Sequence, residues 1–525
     1  MWRTCGRLTR RFSAIKIFGH MEATTFGEQL KLNQTEEQIF RILKRAREIK
    51  LAEDASRGLV LRVNGGWVRD KLLGRDSVDI DISLDTLTGV DFTKYVLEAY
   101  KELLPETFGT NQNGEVRPPA PKTEHLQTAT IRIEDLLIDI VNLRVEEYSE
   151  GRAPTSNVFG TPEQDAFRRD ITINSLYYNI NEAKVEDFTG KGLQDLKEGI
   201  IRTPRDALVI FLEDPLRVAR ILKFAARFKF TIHPSIIEAI KDPSVYEAMR
   251  AKVSKEKTSK EVIAALQHTN CTEFLNLAVD LKFLHQILDI DQQDKLLDPL
   301  KQEDLFRIIE KNKQIWNRIT ELMQQPQLNL LHETHLENLA DLRIHLMLSG
   351  LMFGLHTYRF SKKENLVEFL VKEKLKFSSV VTITVRDMLS ILQAFVDIVA
   401  NQTLTEDKKV DSLVLWIRSN AKLYPLALIV GLAAEVTQKV TEQGMRLLNT
   451  LDLLNFSNVK ALLDGNDAKD LGVEGKDTRV FLEECLIWQA RHRQATKEEI
   501  LVFAKSRVPP KVPKPAPKTT QPKPK

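Results

Sequence analysis

Residues 78–82 read Val-Asp-Ile-Asp-Ile, an alternation that only an extended strand can turn into one apolar and one charged face. Val78, Ile80 and Ile82 are expected to enter a core, and Asp79 and Asp81 to project together from the other side. Two carboxylates held side by side repel each other, a cost usually offset by a cation between them. Just upstream, Val63-Asn64-Gly65-Gly66-Trp67-Val68-Arg69-Asp70 supplies backbone amides with no side chain in the way, suited to cradling phosphates. Arg69 would act there as a charged clamp. Asp-x-Asp by itself is more often an exposed strand with two solvated aspartates. Joined to the glycine turn and the Arg-Asp pair, it points to metal-assisted phosphate chemistry.

Further runs extend that chemistry. Leu137-Ile138-Asp139-Ile140-Val141 sets one acid in an apolar strand, a natural third carboxylate for a two-metal site, though also an ordinary strand-end aspartate. In Arg168-Arg169-Asp170-Ile171-Thr172-Ile173-Asn174, adjacent arginines suit a triphosphate, and Asp170 or Asn174 suits a ribose hydroxyl. Without that context the run reads as a helix start, because Asp and Asn are capping types. Glu213-Asp214-Pro215 opens a helix on which Asp214, Arg217 and Arg220 recur every three residues and share a face. Glu213 with Arg217 is equally a plain i,i+4 surface pair. The functional reading is sharper: cytosine and adenine both present an amino donor beside a ring-nitrogen acceptor. A carboxylate and a guanidinium would satisfy both bases, while uracil and guanine would leave buried polar groups unpaired.

A chain of 525 residues requires about two to four domains. Short β-branched runs dominate residues 59–187, interrupted by a helical stretch over 91–104; residues 105–128, rich in Gly, Pro and polar side chains, read as a mobile inserted loop. From about 193 to 506 amphipathic helical patterns take over. No apolar run approaches the ~20 residues that span a bilayer, so no membrane partner is expected. Cys5, Cys271 and Cys485 are too few and scattered for a disulfide framework or zinc site. The first 21 residues carry five basic side chains and no acid, the composition of a mitochondrial transit peptide or of a disordered basic tail, and Met21 offers a second start. The last 17 are Pro/Lys-rich, with five lysines. Net charge is +3, so removing five from each end leaves −7 for the chain between. RNA would therefore have to bind through a local basic surface, not a global field.

Taken in order, these motifs resemble the class II tRNA nucleotidyltransferases, a branch of the polymerase-β-type superfamily. The Gly-Gly and Asp-x-Asp runs resemble the family's metal motif, and Arg168-Arg169-Asp170 its ribose and triphosphate motif. Asp187-Phe188-Thr189-Gly190 with Gly192, Asp195 and Leu196 resembles the head–neck hinge. Glu213-Asp214 through Arg217 resembles the base-templating motif, and Ser254-Lys255-Glu256 with Glu261 the neck-helix motif. The likeness covers residues 63–261. One departure is Lys223, where the family commonly continues the spacing with another arginine; lysine supplies charge without a bidentate fork.

The resemblance implies an α+β fold: a polymerase-β-like head (28–192), then an all-α neck (193–275), body (276–400) and tail (401–508), between a targeting segment (1–21) and a disordered end (509–525). It implies a monomer that adds CCA to tRNA from CTP and ATP and holds the acceptor and elbow. Mg2+ would sit on Asp79 and Asp81, with Asp139 as third catalytic carboxylate. Gly66, Arg69, Arg169, Asp170, Asp214, Arg217, Arg220 and Lys223 would contact the nucleotide. The 105–128 loop and the hinge would reshape the pocket between C and A addition. Expected locations are the mitochondrial matrix and, from Met21, cytoplasm and nucleus. Two enzyme alternatives share the signature, a poly(A)-adding and a partial-tail-adding relative; a third reading is a non-catalytic RNA-binding scaffold. A metal phosphohydrolase would have to use His332, His335 and His345, which lack an adjacent His-Asp pair.

Overall fold

The computed structural model describes residues 30–55, 58–77, 79–117, 128–134, 136–145, 158–290, 296–325 and 339–508. The leader with Met21, the Pro/Lys tail, Val78, His332, His335 and residues 118–127 of the expected loop lie outside them. The chain separates into two compact units, one up to Asp289 with residues 374–376 and one from Ile290 onward.

The first unit opens with α1 (Gln34–Glu53), started by a capping box in which Asn33 and Glu36 bond each other's backbone N–H. Glu36 does more than cap. It is buried, accepts from Trp67 Nε1 at 2.9 Å and pairs with Lys71 Nζ at 2.8 Å, tying α1 to α2 (Gly66–Leu72). Trp67 then packs between Phe40 and Tyr178, ring centroids 5.6 and 5.7 Å away.

The sheet contains β1 (Leu61–Asn64), β2 (Ile80–Leu84), β3 (Val116–Arg117), β4 (Ala129–Ile133) and β5 (Leu136–Asn142). A short ribbon pairs β6 (Arg144–Val145) with β7 (Val158–Phe159), and β8 (Leu176–Asn179) and β9 (Lys184–Asp187) complete the sheet. Its order is β3-β4-β5-β2-β1-β8-β9, antiparallel throughout except for β2 beside β5. That parallel pair needs a crossover, which α3 (Gly89–Leu103) begins. Gly89 is obligatory there, because a Cβ would lie 2.0 Å from the Ile140 carbonyl oxygen. The expected alternation is present: Ile80, Ile82, Ile138 and Ile140 are fully buried on one face.

Residues 105–117 are not an open loop. Phe108 packs edge-on against Tyr100 at 5.5 Å, and β3 extends the sheet edge by pairing with β4. Composition signalled turns, which are there, but not the two residues of ladder that anchor them. Similarly, Arg168-Arg169-Asp170 does not start a helix. It follows the end of α4 (Pro162–Phe167) and precedes a 3-10 turn, Thr172–Asn174.

After β9, the Asp187 carboxylate accepts from the backbone N–H of Thr189, Gly190 and Leu193 and from the Thr189 hydroxyl, fixing the turn into α5 (Gly192–Glu198). Beyond it β10 (Ile200–Ile201) pairs with β11 (Thr231–Ile232) around α6 (Ala207–Glu213) and α7 (Leu216–Phe228). Helices α8 (Pro234–Ile240), α9 (Pro243–Lys252), α10 (Lys255–Gln267), α11 (Cys271–Asp280) and α12 (Phe283–Ile287) follow. Val218, Ile221, Leu222 and Ala225 of α7 are buried, and the helix packs on α10 and α11. Of its charged residues, Arg217 and Arg220 turn toward the head, while Lys223 reaches Glu261 of α10.

Among its described residues the second unit is helical apart from one isolated bridge. It comprises α13 (Gln302–Met323), α14 (Leu339–Leu351), α15 (Leu366–Phe369), α16 (Ser379–Ala400), α17 (Glu406–Ser419), α18 (Tyr424–Ala433), α19 (Glu435–Thr450), α20 (Gly465–Asp470), α21 (Asp477–Arg491) and α22 (Lys497–Arg507). One core joins Phe395 and Val399 of α16 to Leu413 and Trp416 of α17, Tyr424 of α18 and Leu448 of α19. The expected body–tail boundary between 400 and 401 falls at the short connection from α16 to α17, whose helices share that core. His345 is buried on α14, where loss of solvation holds its imidazole below the ordinary value. Among the described residues no single helix is long and apolar enough to cross a membrane.

Candidate active site

The parallel register of β2 and β5 sets Asp81 opposite Asp139, and Asp79, two residues earlier, leads into the same strand face. Thr130, opposite Asp139 on β4, donates its hydroxyl to that carboxylate. Burial first, then the neighbouring charges of Asp79 and Asp139, push the Asp81 carboxyl up to about 6, against the pull of Arg169. Three acids thus converge where one of them is driven toward protonation, an arrangement that a divalent cation would relieve. Among the described residues no three His, Cys, Asp or Glu side chains are drawn together closely enough to hold a metal ion by themselves. An open set of carboxylates fits Mg2+, which keeps waters and takes substrate phosphates as remaining ligands.

Gly65 ends β1 with φ 73°, and a Cβ there would lie 3.1 Å from Arg169 Nη1. Arg169 is immobilised. It donates to Asn64 Oδ1 at 2.8 Å, to the Asn174 carbonyl at 3.2 Å and to Asp165 Oδ2 at 2.9 Å, and its guanidinium lies 5.3 Å from the Tyr177 ring centre. Arg168 shares the buried Asp165 through its other oxygen, and the Tyr177 hydroxyl donates to the same carboxylate. Burial alone would raise Asp165; Arg169 and Arg168 outweigh it and hold the carboxyl well below the usual range.

The expected base-recognition stripe lies beside these groups. Asp214 ends α6 and accepts from Leu216 N at 3.1 Å, so it starts α7 as well. Arg217 is buried, donates to the Arg168 carbonyl at 2.6 Å and stands 3.6 Å from Glu213, whose closer partner is Arg205 at 2.6 Å. Arg220 grips Asp170 through Nε and Nη2, both at 2.8 Å. The second oxygen of Asp170 accepts from Asn174 and from its neighbour's N–H. Burial would raise this carboxyl, but Arg220 and Asn174 hold it down at about 2. The oxygens expected to meet a ribose are therefore already bridging head to α7. Lys223 is ion-paired with Glu261 of α10, which joins the templating and neck-helix motifs.

Arg69 departs further from its expected setting. It is buried, bonded to Asp70 and Asn174, with its guanidinium 5.2 and 4.6 Å from the ring centres of Phe224 and Phe228. Its contacts join α2 to α7, and it lines the cleft beside the glycine turn. Even so, every residue assigned to catalysis, metal or nucleotide from the sequence lines one cleft of about 920 Å³.

Two comparisons bear on identity. A family model described as the Poly A polymerase head domain matches residues 61–202, the span of the sheet and its first helices. The mitochondrial CCA tRNA nucleotidyltransferase of Candida glabrata is 31% identical over 500 residues, covering 86% of this chain and 91% of that protein. The chain belongs to the CCA tRNA nucleotidyltransferase family. The similarity recurs in tRNA nucleotidyltransferase cca2 of Schizosaccharomyces pombe, 29% identical over 91% of this chain and 99% of that one. A solved Thermotoga maritima CCA-adding enzyme complexed with tRNA shares the fold, with a TM-score of 0.60 at 17% identity over 90% of this chain and 96% of that one.

Within this nucleotidyltransferase, sequence reasoning missed Asn64, Asp165 and Tyr177. Asp165 carried a readable signal: an acid three and four residues before two arginines on one helical turn. Tyr177 carried none, since only the sheet brings it to the arginines.

Proposed function

We propose that this enzyme adds CCA to the 3′ end of tRNA from CTP and ATP, without a nucleic-acid template and with release of pyrophosphate. The observation that carries the reading is one cleft in which the Asp79–Asp81–Asp139 carboxylates share walls with Asp214 and Arg217. Those three carboxylates would hold Mg2+, which when bound favours the deprotonated primer hydroxyl and neutralises charge on the leaving pyrophosphate. The amides of Gly65 and Gly66 with Arg168 and Arg169 position the triphosphate. Asp165 keeps both guanidiniums in place, so little rotamer entropy is lost on binding. Asp214 accepts from the amino group of cytosine or adenine and Arg217 donates to the adjacent ring nitrogen. Arg217 is fixed by the Arg168 carbonyl, so its donor is preorganised against uracil and guanine. Asp170 and Arg220 act together as the brace between head and base pocket, and Lys223 with Glu261 steadies the next turn of α7.

The mitochondrial relative and the basic leader support delivery to the mitochondrial matrix, with a Met21-initiated form serving cytoplasm and nucleus. A poly(A)-adding activity is the second reading, favoured by the head-domain match. The test is incorporation from each nucleotide separately on tRNA lacking its 3′ end. CTP should be used on that substrate and ATP once both cytidines are in place, UTP and GTP rejected on either, and Arg217→Ala should erase much of that difference. Equal use of all four by the unaltered enzyme would contradict the base-pocket assignment.

A further inference from the structure

Beside the cleft lies a charge cluster of which Arg75 and Arg227 have no part in the nucleotide chemistry. Three guanidiniums surround one ring: Arg69, Arg75 and Arg227 lie 4.6, 5.4 and 5.2 Å from the centre of Phe228. Among the described residues their ion pairs go to Asp70 alone, at 2.9 Å from Arg69 and 3.6 Å from Arg227. Two positive charges are left over in a space set by a single phenyl group. Burial first, then Arg69 and Arg75, hold the Arg227 guanidinium below its ordinary value despite Asp70. Packing does not demand this, since Phe228 already stacks on Phe224 and tilts against Phe230.

We infer that Arg75 and Arg227, on a platform built by Arg69, Asp70 and Phe228, form a binding site for the phosphodiester backbone of the RNA primer. This rests on the proposed function and adds to it the place where the strand enters. Three observations support the assignment, and the CTP titration below separates it from the incoming triphosphate. Arg69, Asp70 and Arg227 line the same cleft as the carboxylates, and Arg75 lies four residues before Asp79. Arg227 is ten residues beyond Arg217 on α7, roughly 15 Å along the axis, well past a base held there. And the chain between its basic ends carries −7, so an RNA strand needs a local excess of arginine to dock at all. Guanidinium is the group for it, because its planar fork matches two phosphate oxygens.

The experiment is equilibrium binding of tRNA lacking CCA to the full-length enzyme, without nucleotide or magnesium, across a range of NaCl. Arg75→Gln, Arg227→Gln and their combination are compared with Arg75→Lys, and CTP affinity is measured in a separate titration with magnesium. Arg75 is exposed, so its replacement leaves folding intact, and thermal unfolding checks Arg227→Gln. The Gln variants should bind tRNA several-fold more weakly, with the log–log salt slope reduced by about 0.7–0.9 for each phosphate no longer neutralised. Arg75→Lys should keep most of the slope, and CTP affinity should not move. Loss of CTP affinity with tRNA binding intact would assign the cluster to the triphosphate and overturn the inference. No change in either would make the trio a scaffold and overturn it too. Because no catalysis is read, an enzyme that binds tRNA as described but adds no CCA would sink the proposed function and leave this site standing.

Discussion

Asp81 is where the physics of single residues is plainest. Its carboxyl is pushed up to about 6 by burial and by two acidic neighbours, a repulsion that the proposed cation would offset. Asp81→Asn should therefore cost more than about 100-fold in single-turnover CMP incorporation, since losing even an outer partner of a metal ligand costs 10–100-fold. In EDTA the same variant should unfold at no lower a temperature than the parent, because the substitution removes repulsion. A marked drop in Tm would mean that Asp81 is structural. Asp170 behaves oppositely. Its carboxyl is held at about 2, below the unfolded value near 4, so it stabilises the fold above pH 4 and that contribution fades as pH falls from 4 toward 2. The contribution is on the order of 2 kcal/mol. Urea titrations at pH 3 and pH 7 should show Asp170→Asn losing less stability between them than the parent. The acids of the Asp-x-Asp run were legible because alternation alone puts them on one face. Asp170's bond to Arg220 was not, because fifty residues separate the partners and only the fold joins them.

Elements were legible where one period dominates. The β-branched runs became β1, β2, β4 and β5, and the stretch over 91–104 became α3, begun two residues earlier by Gly89 with Thr88 as its cap. Gly89 itself gave no sign of its importance, since the carbonyl it must clear belongs to β5, fifty-one residues away. A Cβ 2.0 Å from backbone oxygen forces the crossover to shift, so Gly89→Ala should destabilise by at least about 1–3 kcal/mol, read by chemical denaturation. An unchanged midpoint would mean that α3 moves freely on the sheet. The 105–117 segment was misread for a related reason: glycine and polar residues mark turns, whereas a two-residue edge pairing is set by β4 and leaves no local pattern.

For the whole molecule, the change from mixed to helical character near residue 193 was readable from periodicity. The limits of the helical cores were not, because packing follows side-chain contacts and not turn composition. Phe395 and Val399 share a core with Trp416, Tyr424 and Leu448, so a piece spanning 401–508 should not fold alone. Far-UV CD should show that piece with α17–α19 largely unfolded, its remaining helix coming from the separate core of Leu463, Phe481, Cys485 and Ile500, and a single cooperative melt of the whole piece would support a division at 400. The central claim, that this cleft builds a defined CCA end, is tested most directly by sequencing the products formed on tRNA lacking its 3′ end when magnesium, CTP and ATP are all supplied. The account predicts addition of C, C and A followed by arrest; a continuing run of A residues would contradict it.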